Sequence, residues 1–263
     1  MKKTVGVAGI MLAAFFLLLG SHLALAKPPT SSAYFELRVY HMKTSQQEAR
    51  IDSFLRLHYL PAMRAQNIPH VGVFKPLSND TATDKKIYVF TPFKSLKHWE
   101  QVKAGKPSVA ETSASDYTGA AHNAPAYQRQ ETIFLKAFDL MPAVAASRLQ
   151  GPRPERVYEL RSYESASEKL ARNKVQMFNQ GGEVKLFSRL GFNAVFYGEV
   201  VFGAHMPNLM YMTSFDNMAA RDQHWKAFGS DPEWKSLSAK SEYQNNVSHI
   251  DIVFLRSASY SAL

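Results

Sequence analysis

The 263-residue chain contains no cysteine. Disulfide staples, thiol catalysis and thiolate metal sites are thereby excluded, and a packed core has to carry the fold unaided. A phosphate-cradling glycine loop, a Ser/His/Asp order and carboxylates at catalytic spacing are absent too, which leaves phosphoryl transfer and nucleophilic hydrolysis unsupported. Acidic residues are outnumbered: 22 Asp and Glu stand against 31 Lys and Arg, a formal net charge of +9. The basic residues are scattered and form no stripe, so no nucleic-acid partner is expected.

Beyond the N-terminus, long apolar runs are also missing. The chain opens "MKKTVGVAGIMLAAFFLLLGSHLALAKPPT", with Lys2 and Lys3, an apolar stretch, and Ala24-Leu25-Ala26 ahead of Lys27. This predicts a signal peptide over residues 1–26 and export to the periplasm or exterior. The alternative is a retained anchor, since about 20 apolar residues can span a bilayer. Ser21, His22 and the small-x-small site favour cleavage, after which no stable membrane span is expected. Losing Lys2 and Lys3 lowers the net charge from +9 to +7. The remaining chain of about 237 residues exceeds the usual size of one small domain and accommodates two.

Two stretches are nearly alike: "FELRVYHM" from Phe35 and "YELRSYES" from Tyr158, with 123 residues between Glu36 and Glu159. An amphipathic helix follows each copy, the first behind Thr44/Ser45 with Ile51, Phe54, Leu55 and His58 at helical steps and a break near Pro61. The second begins at Ser167, carries Leu170, Met177, Val184 and Phe187, contains Gly181-Gly182, which predicts a close packing contact or a kink, and ends at Gly191. Two strand-like runs come next in each half, keeping an offset of 122 between Val73-Phe74 and Val195-Phe196 and between Thr91 and Thr213. Further helical segments and a last strand complete both halves. The order β-α-β-β-α-β, present twice, predicts an α+β chain of two tandem ferredoxin-like domains.

Alternation along a strand places Glu36, Arg38 and Tyr40 on one face, with Phe35, Leu37 and Val39 on the other. Glu159, Arg161 and Tyr163 repeat the arrangement. The apolar faces are expected to cover the helices of their own half, leaving the charged triplets on open sheet faces that close against each other as a barrel-like seam. Two readings of that seam stand: register-setting ion pairs, or polarising groups in a pocket. On "FNAVFYGEVV", Val195, Tyr197 and Glu199 are read as sharing a face, with Gly198 permitting close backbone approach.

The second half, from Arg156 to Arg256, resembles the NIPSNAP family of the dimeric α/β-barrel superfamily. The resemblance is carried by "YELRSYES", "NKVQMFNQGGEVKLFSRLGFNAVFYGE", Arg221-x-x-x-Trp225, Asp231-Pro232-Glu233-Trp234 and "NVSHIDIVFL". It implies residues 33–139 as a diverged first copy, residues 140–155 as a linker and residues 156–256 as the NIPSNAP domain. Two copies in one chain then form the barrel that single-copy relatives make by dimerising. The family has no settled activity, while superfamily cousins include haem-degrading and cofactor-independent monooxygenases.

The candidate pocket of the second half is Glu159, Arg161, Tyr163, Tyr197, Glu199 and Arg221; that of the first is Glu36, Arg38, Tyr40 and His58. Arg221 is read as forking to a carboxylate such as Glu199 or to an acidic ligand. His58, on the apolar stripe of the first helix, is where a haem cousin would place an axial ligand; the expectation is no cofactor and no metal, with haem as the alternative. The leading functional reading is a module binding a small molecule or a protein partner, with homo-oligomers in view, and the alternative is a monooxygenase-like oxidoreductase. Whether the protein is an enzyme stays open. Mass spectrometry of the protein recovered outside the cytoplasm of its host should give an N-terminus at Lys27; recovery only in membranes with Met1 retained would establish the anchor instead.

Overall fold

The structure is a computed structural model that describes residues 33–104, 115–144 and 147–263. The expected signal segment and residues 105–114 lie outside the described residues. Strand β1 (Tyr34–Met42) leads into helix α1 (Ser45–Phe54), a π-helical turn (Leu55–Tyr59) and α2 (Leu60–Ala65). Strands β2 (Gly72–Pro76) and β3 (Lys85–Phe93), helices α3 (Leu96–Ala104) and α4 (Ser115–Thr118), and strand β4 (Arg129–Ala137) complete the first half. The second half repeats the plan: β5 (Val157–Glu164), α5 (Glu168–Asn179), α6 (Glu183–Arg189), β6 (Asn193–Phe202), β7 (Asn208–Phe215), α7 (Met218–Ser230), α8 (Pro232–Ser238) and β8 (His249–Ser257).

Local chemistry sets the helix starts. Thr44, Ser167 and Asn217 sit in extended backbone, and each side chain accepts an N–H of the first turn. Asp231 does the same ahead of Pro232, whose missing N–H is harmless at that position. The break in the second helix falls at Gly182, which has φ 100°, and Gly191 with φ 79° follows the end of α6. In the first helix the interruption precedes Pro61, at the π turn.

The eight strands close into one antiparallel barrel in the order β1-β3-β2-β8-β5-β7-β6-β4, with β4 pairing back onto β1. Within each half the order is that of a ferredoxin-like sheet, and the halves join at β2–β8 and β4–β6. Gly198 makes the second seam close: a Cβ there would meet the Leu135 side chain at 3.0 Å.

The barrel interior is apolar, filled by Phe35, Leu37, Phe90, Leu135, Leu160, Phe196 and Met212 among others. Phe196 stacks on Phe90 at 4.8 Å and lies 5.5 Å from Phe35; Phe74 meets Tyr158 at 4.8 Å. These contacts cross between the halves. The expected orientation of the first strands is therefore inverted: Phe35, Leu37 and Leu160 line the barrel, and both Glu-Arg-Tyr triplets face outward beneath their own helices. The reason is that eight apolar strand faces offer a charge no partner, whereas the helices bring donors, and an unpaired buried charge costs far more than a paired one.

A bulge between Ala194 and Phe196 adjusts a second expectation. It turns Val195 and Phe196 both into the barrel and leaves Tyr197 on the helix side, so Val195 does not share its face. Because Phe196 bridges the halves, Phe196→Ala should cost about 3–5 kcal/mol and lower one transition shared by the whole molecule. Urea unfolding followed by circular dichroism and tryptophan fluorescence should give coincident curves; two separate transitions would mean that the halves fold independently.

Candidate functional site

Each half buries one carboxylate at the same place on its first strand. Glu36 is 1 % exposed and Glu159 0 %. Glu159 receives Arg161 Nε at 2.7 Å, Arg221 Nε and Nη2 at 2.8 and 2.9 Å, and Trp225 Nε1 at 2.8 Å. Glu36 receives Arg38 Nη2 at 2.8 Å, Lys103 Nζ at 2.9 Å and Trp99 Nε1 at 2.9 Å. A strand arginine, a helix cation and a helix indole thus surround the carboxylate in both halves. The helix cation precedes the tryptophan by one turn in α7 and follows it by one turn in α3, so both reach the same point from opposite directions.

Each strand arginine also donates to the tyrosine two residues on, Arg161 Nη1 to Tyr163 at 3.1 Å and Arg38 Nη1 to Tyr40 at 3.2 Å. The phenols then pair with a second phenol, Tyr163 with Tyr211 at 2.8 Å and Tyr40 with Tyr117 at 2.9 Å. The Arg161 guanidinium lies 3.8 Å over the Trp225 ring. Burial by itself would raise the Glu159 carboxyl, but Arg221, Arg161 and Trp225 outweigh it and hold it below its ordinary value. Glu36 is lowered by the same balance, burial opposed by Arg38, Lys103 and Trp99.

The second half adds a fully internal ion pair that sequence reading missed. Lys174 Nζ stands 2.8 Å from Glu183 Oε2, with side chains 5 % and 2 % exposed, and 4.8 Å from the Phe178 ring. Burial pushes the Glu183 carboxyl up, against the pull of Lys174. At the offset of 123 the first half carries Ile51 and Leu60, both buried apolar residues. The signal was therefore present as a charge standing where the repeat has a core residue.

Of the residues expected in one pocket, Glu159, Arg161, Tyr163 and Arg221 come together, and so do Glu36, Arg38 and Tyr40. The acceptor of the Arg221 fork is Glu159. Glu199 is not part of the group: on β7 it faces Leu209, whereas Glu159 faces Thr213, about 13 Å along the strand. His58 is displaced as well. The π turn inserts one residue, so Tyr59 takes the core position and bonds Thr91 at 2.9 Å, while His58 is half-buried against Phe54. The residue 123 positions beyond Tyr59 is Gly182, and the Thr213 hydroxyl, matching Thr91, has no partner.

Tyr197 lies elsewhere, lining a groove of about 610 Å³ between the start of β6 and helix α6. Leu140, Met141, Val184 and Phe192 supply its apolar walls, and Arg148 and Lys185 stand at its edge. Burial raises the Tyr197 phenol far above its ordinary range, so it is a protonated hydrogen-bonding group at neutral pH.

An antiparallel eight-stranded barrel built from two ferredoxin-like halves, with helices outside, defines a protein of the dimeric α/β-barrel class closed within one chain. Residues 158–262, most of the second half, match the NIPSNAP family. Among solved structures, the chain is similar to a candidate monooxygenase from Lactobacillus acidophilus at 12 % identity, with 86 % of this chain and 94 % of that one covered and a TM-score of 0.57. A candidate monooxygenase from Fusobacterium nucleatum is 7 % identical, with 86 % and 93 % covered and a TM-score of 0.57. A NIPSNAP family protein from Agrobacterium tumefaciens is 14 % identical over 44 % of this chain and 98 % of that one, with a TM-score of 0.37. No curated protein matches the sequence. At these identities the likeness shows the fold, and the two larger relatives each span both halves in a single chain.

Glu159→Ala strands two arginines and an indole, and should cost about 3–5 kcal/mol by thermal or urea unfolding; unchanged stability would show the network to be dispensable. The folded carboxyls of Glu36 and Glu159 lie below their unfolded value of about 4.3, so the unfolded chain binds the extra protons. Their stabilisation is present above that pH and drains as the pH falls through the folded values. Stability measured against pH should decline in acid for the wild type and decline less steeply for Glu159→Gln.

Proposed function

We propose that the protein is an exported small-ligand-binding module and that its ligand carries an apolar body with an anionic end. The observation that carries this reading is the groove beside Tyr197. It has the size and apolar lining typical of small-molecule sites, with a few polar groups at fixed places. Among the described residues, neither the Arg148 guanidinium nor the Lys185 ammonium belongs to an ion pair, so both are available to a carboxylate or sulfonate. Export is supported by the Lys2/Lys3, apolar and Ala24-Leu25-Ala26 pattern. Among the described residues no helix is long and apolar enough to cross a membrane.

A monooxygenase-like oxidoreductase, the alternative, would need a polar pocket with groups ready to move a proton. Here the two strand carboxylates are consumed by arginines and indoles, and Tyr163, Tyr197 and Tyr211 are all pushed up by burial into their protonated forms. His58 lines neither the groove nor the barrel-end cavity described below. Because the barrel closes within one chain, a homo-oligomer is not required to complete it.

8-Anilinonaphthalene-1-sulfonate, an apolar anion that fluoresces on leaving water, is a direct probe. The wild type should bind it saturably, with decanoate competing. Val184→Trp, which fills the groove, should abolish binding, and Arg148→Ala with Lys185→Ala should weaken it by roughly tenfold, as expected for a lost charge-assisted contact. Equal fluorescence enhancement in wild type and Val184→Trp would refute the site.

A further inference from the structure

One end of the barrel opens into a separate cavity of about 340 Å³. Its floor is the apolar barrel interior at Val39, Leu160 and Met210, and its rim is ionisable. On the second-half side, Glu164 at the end of β5, His205 in the β6–β7 connection and Asp251 on β8 converge. One ligand atom from each lies within 4.8 Å of the other two. A carboxylate pair with an imidazole is a donor set that suits borderline divalent transition metals better than calcium or magnesium.

Two buried oxygens near this point lack a hydrogen-bond partner, and the remaining carboxylate is held by a neighbour. Oε1 of Glu164 is shielded from solvent and only 2.8 Å from His205 Nδ1, yet it receives no hydrogen bond of acceptable direction. Asn208 pairs with Glu164 in the β5–β7 register, lines the cavity and is 4 % exposed. Its Nδ2 donates to Ser162 Oγ at 2.9 Å, which orients the amide, and its buried Oδ1 has no partner. An unsatisfied buried carbonyl oxygen is unfavourable unless something occupies the space before it. Asp251 is steadied by His249 Nε2 at 3.1 Å from Oδ1, the outer contact that ligating carboxylates commonly have.

The first-half side of the same rim serves as an internal contrast. His41, 123 residues before Glu164, also lies between two carboxylates, with Nδ1 2.9 Å from Asp84 and Nε2 3.2 Å from Glu131. Its Nδ1 is hydrogen-bonded to Asp84, its Nε2 makes no directed hydrogen bond, and the three ligand atoms do not gather within 4.8 Å as those of Glu164, His205 and Asp251 do.

We propose that Glu164, His205 and Asp251 bind a divalent transition-metal ion of the zinc or manganese type at the barrel mouth, with Asn208 Oδ1 as a further oxygen donor directly or through a water. Tetrahedral ligands at about 2.1 Å from zinc stand roughly 3.4 Å apart, so the triad must draw together slightly, which rim side chains can do by rotation. The ion stands apart from the groove beside Tyr197 and owes nothing to the ligand proposed there.

Isothermal titration of tag-free mature protein with zinc chloride, then manganese chloride, tests the assignment. One saturable site per chain is expected, with an accompanying rise in melting temperature. Glu164→Gln, His205→Ala and Asp251→Asn should each weaken binding by roughly tenfold or more, while His41→Ala leaves it unchanged. His205 and Asp251 are exposed, and circular dichroism of each variant reports folding separately. Absence of saturable binding, or binding that survives His205→Ala but not His41→Ala, would overturn the proposal.

Discussion

A carboxylate without solvent exposure is tolerable only where donors enclose it, and that constraint organises both halves of this molecule. Glu36 and Glu159 stand on first strands whose opposite faces build the barrel interior. Each draws an arginine from its own strand and a tryptophan and a cation from a helix across the sheet. The pairing locks α3 and α7 onto the outer surface of the barrel. It also explains why the apolar strand faces point inward: the interior has nothing to offer a charge.

The halves share this device and diverge around it. The first fills its helix–sheet space with Tyr59, Ile51 and Leu60, and its Thr91 is satisfied by Tyr59. The second substitutes Gly182, Lys174 and Glu183, exchanging part of an apolar layer for an internal ion pair and leaving Thr213 without a partner. A buried ion pair adds little net stability over apolar packing of the same volume. The second half is therefore the more polar copy, and it is also the one that bears the groove and the barrel-mouth triad.

Neither of those features uses the glutamate, arginine or tyrosine of the repeated Glu-Leu-Arg-x-Tyr motif. The most conspicuous pattern in the sequence is spent on holding helices to the barrel, and the groups left over for ligands lie at strand ends and connections. The groove beside Tyr197 combines an apolar wall with two cations that form no ion pair among the described residues; the mouth combines carboxylates, an imidazole and an amide oxygen. Their chemistries differ, so the two proposals stand independently of each other.

By itself, the sequence determined the duplication, the order of elements, the helix starts at Thr44 and Ser167 and the closure of two ferredoxin-like sheets, because these follow from local periodicity and from an offset that holds over many residues. It also grouped Glu159, Arg161, Tyr163 and Arg221, which do come together, with Tyr197 and Glu199, which lie elsewhere. Which way the strands faced was a tertiary decision, since alternation fixes two faces but not which is covered by helices. Tertiary structure likewise decided the fates of His58 and Glu199: a one-residue π insertion rotates the first helix, and distance along β7 separates Glu199 from Glu159. Lys174 with Glu183, and Glu164 with His205 and Asp251, meet only through folding, because segments distant in the chain become neighbours when eight strands close into a ring.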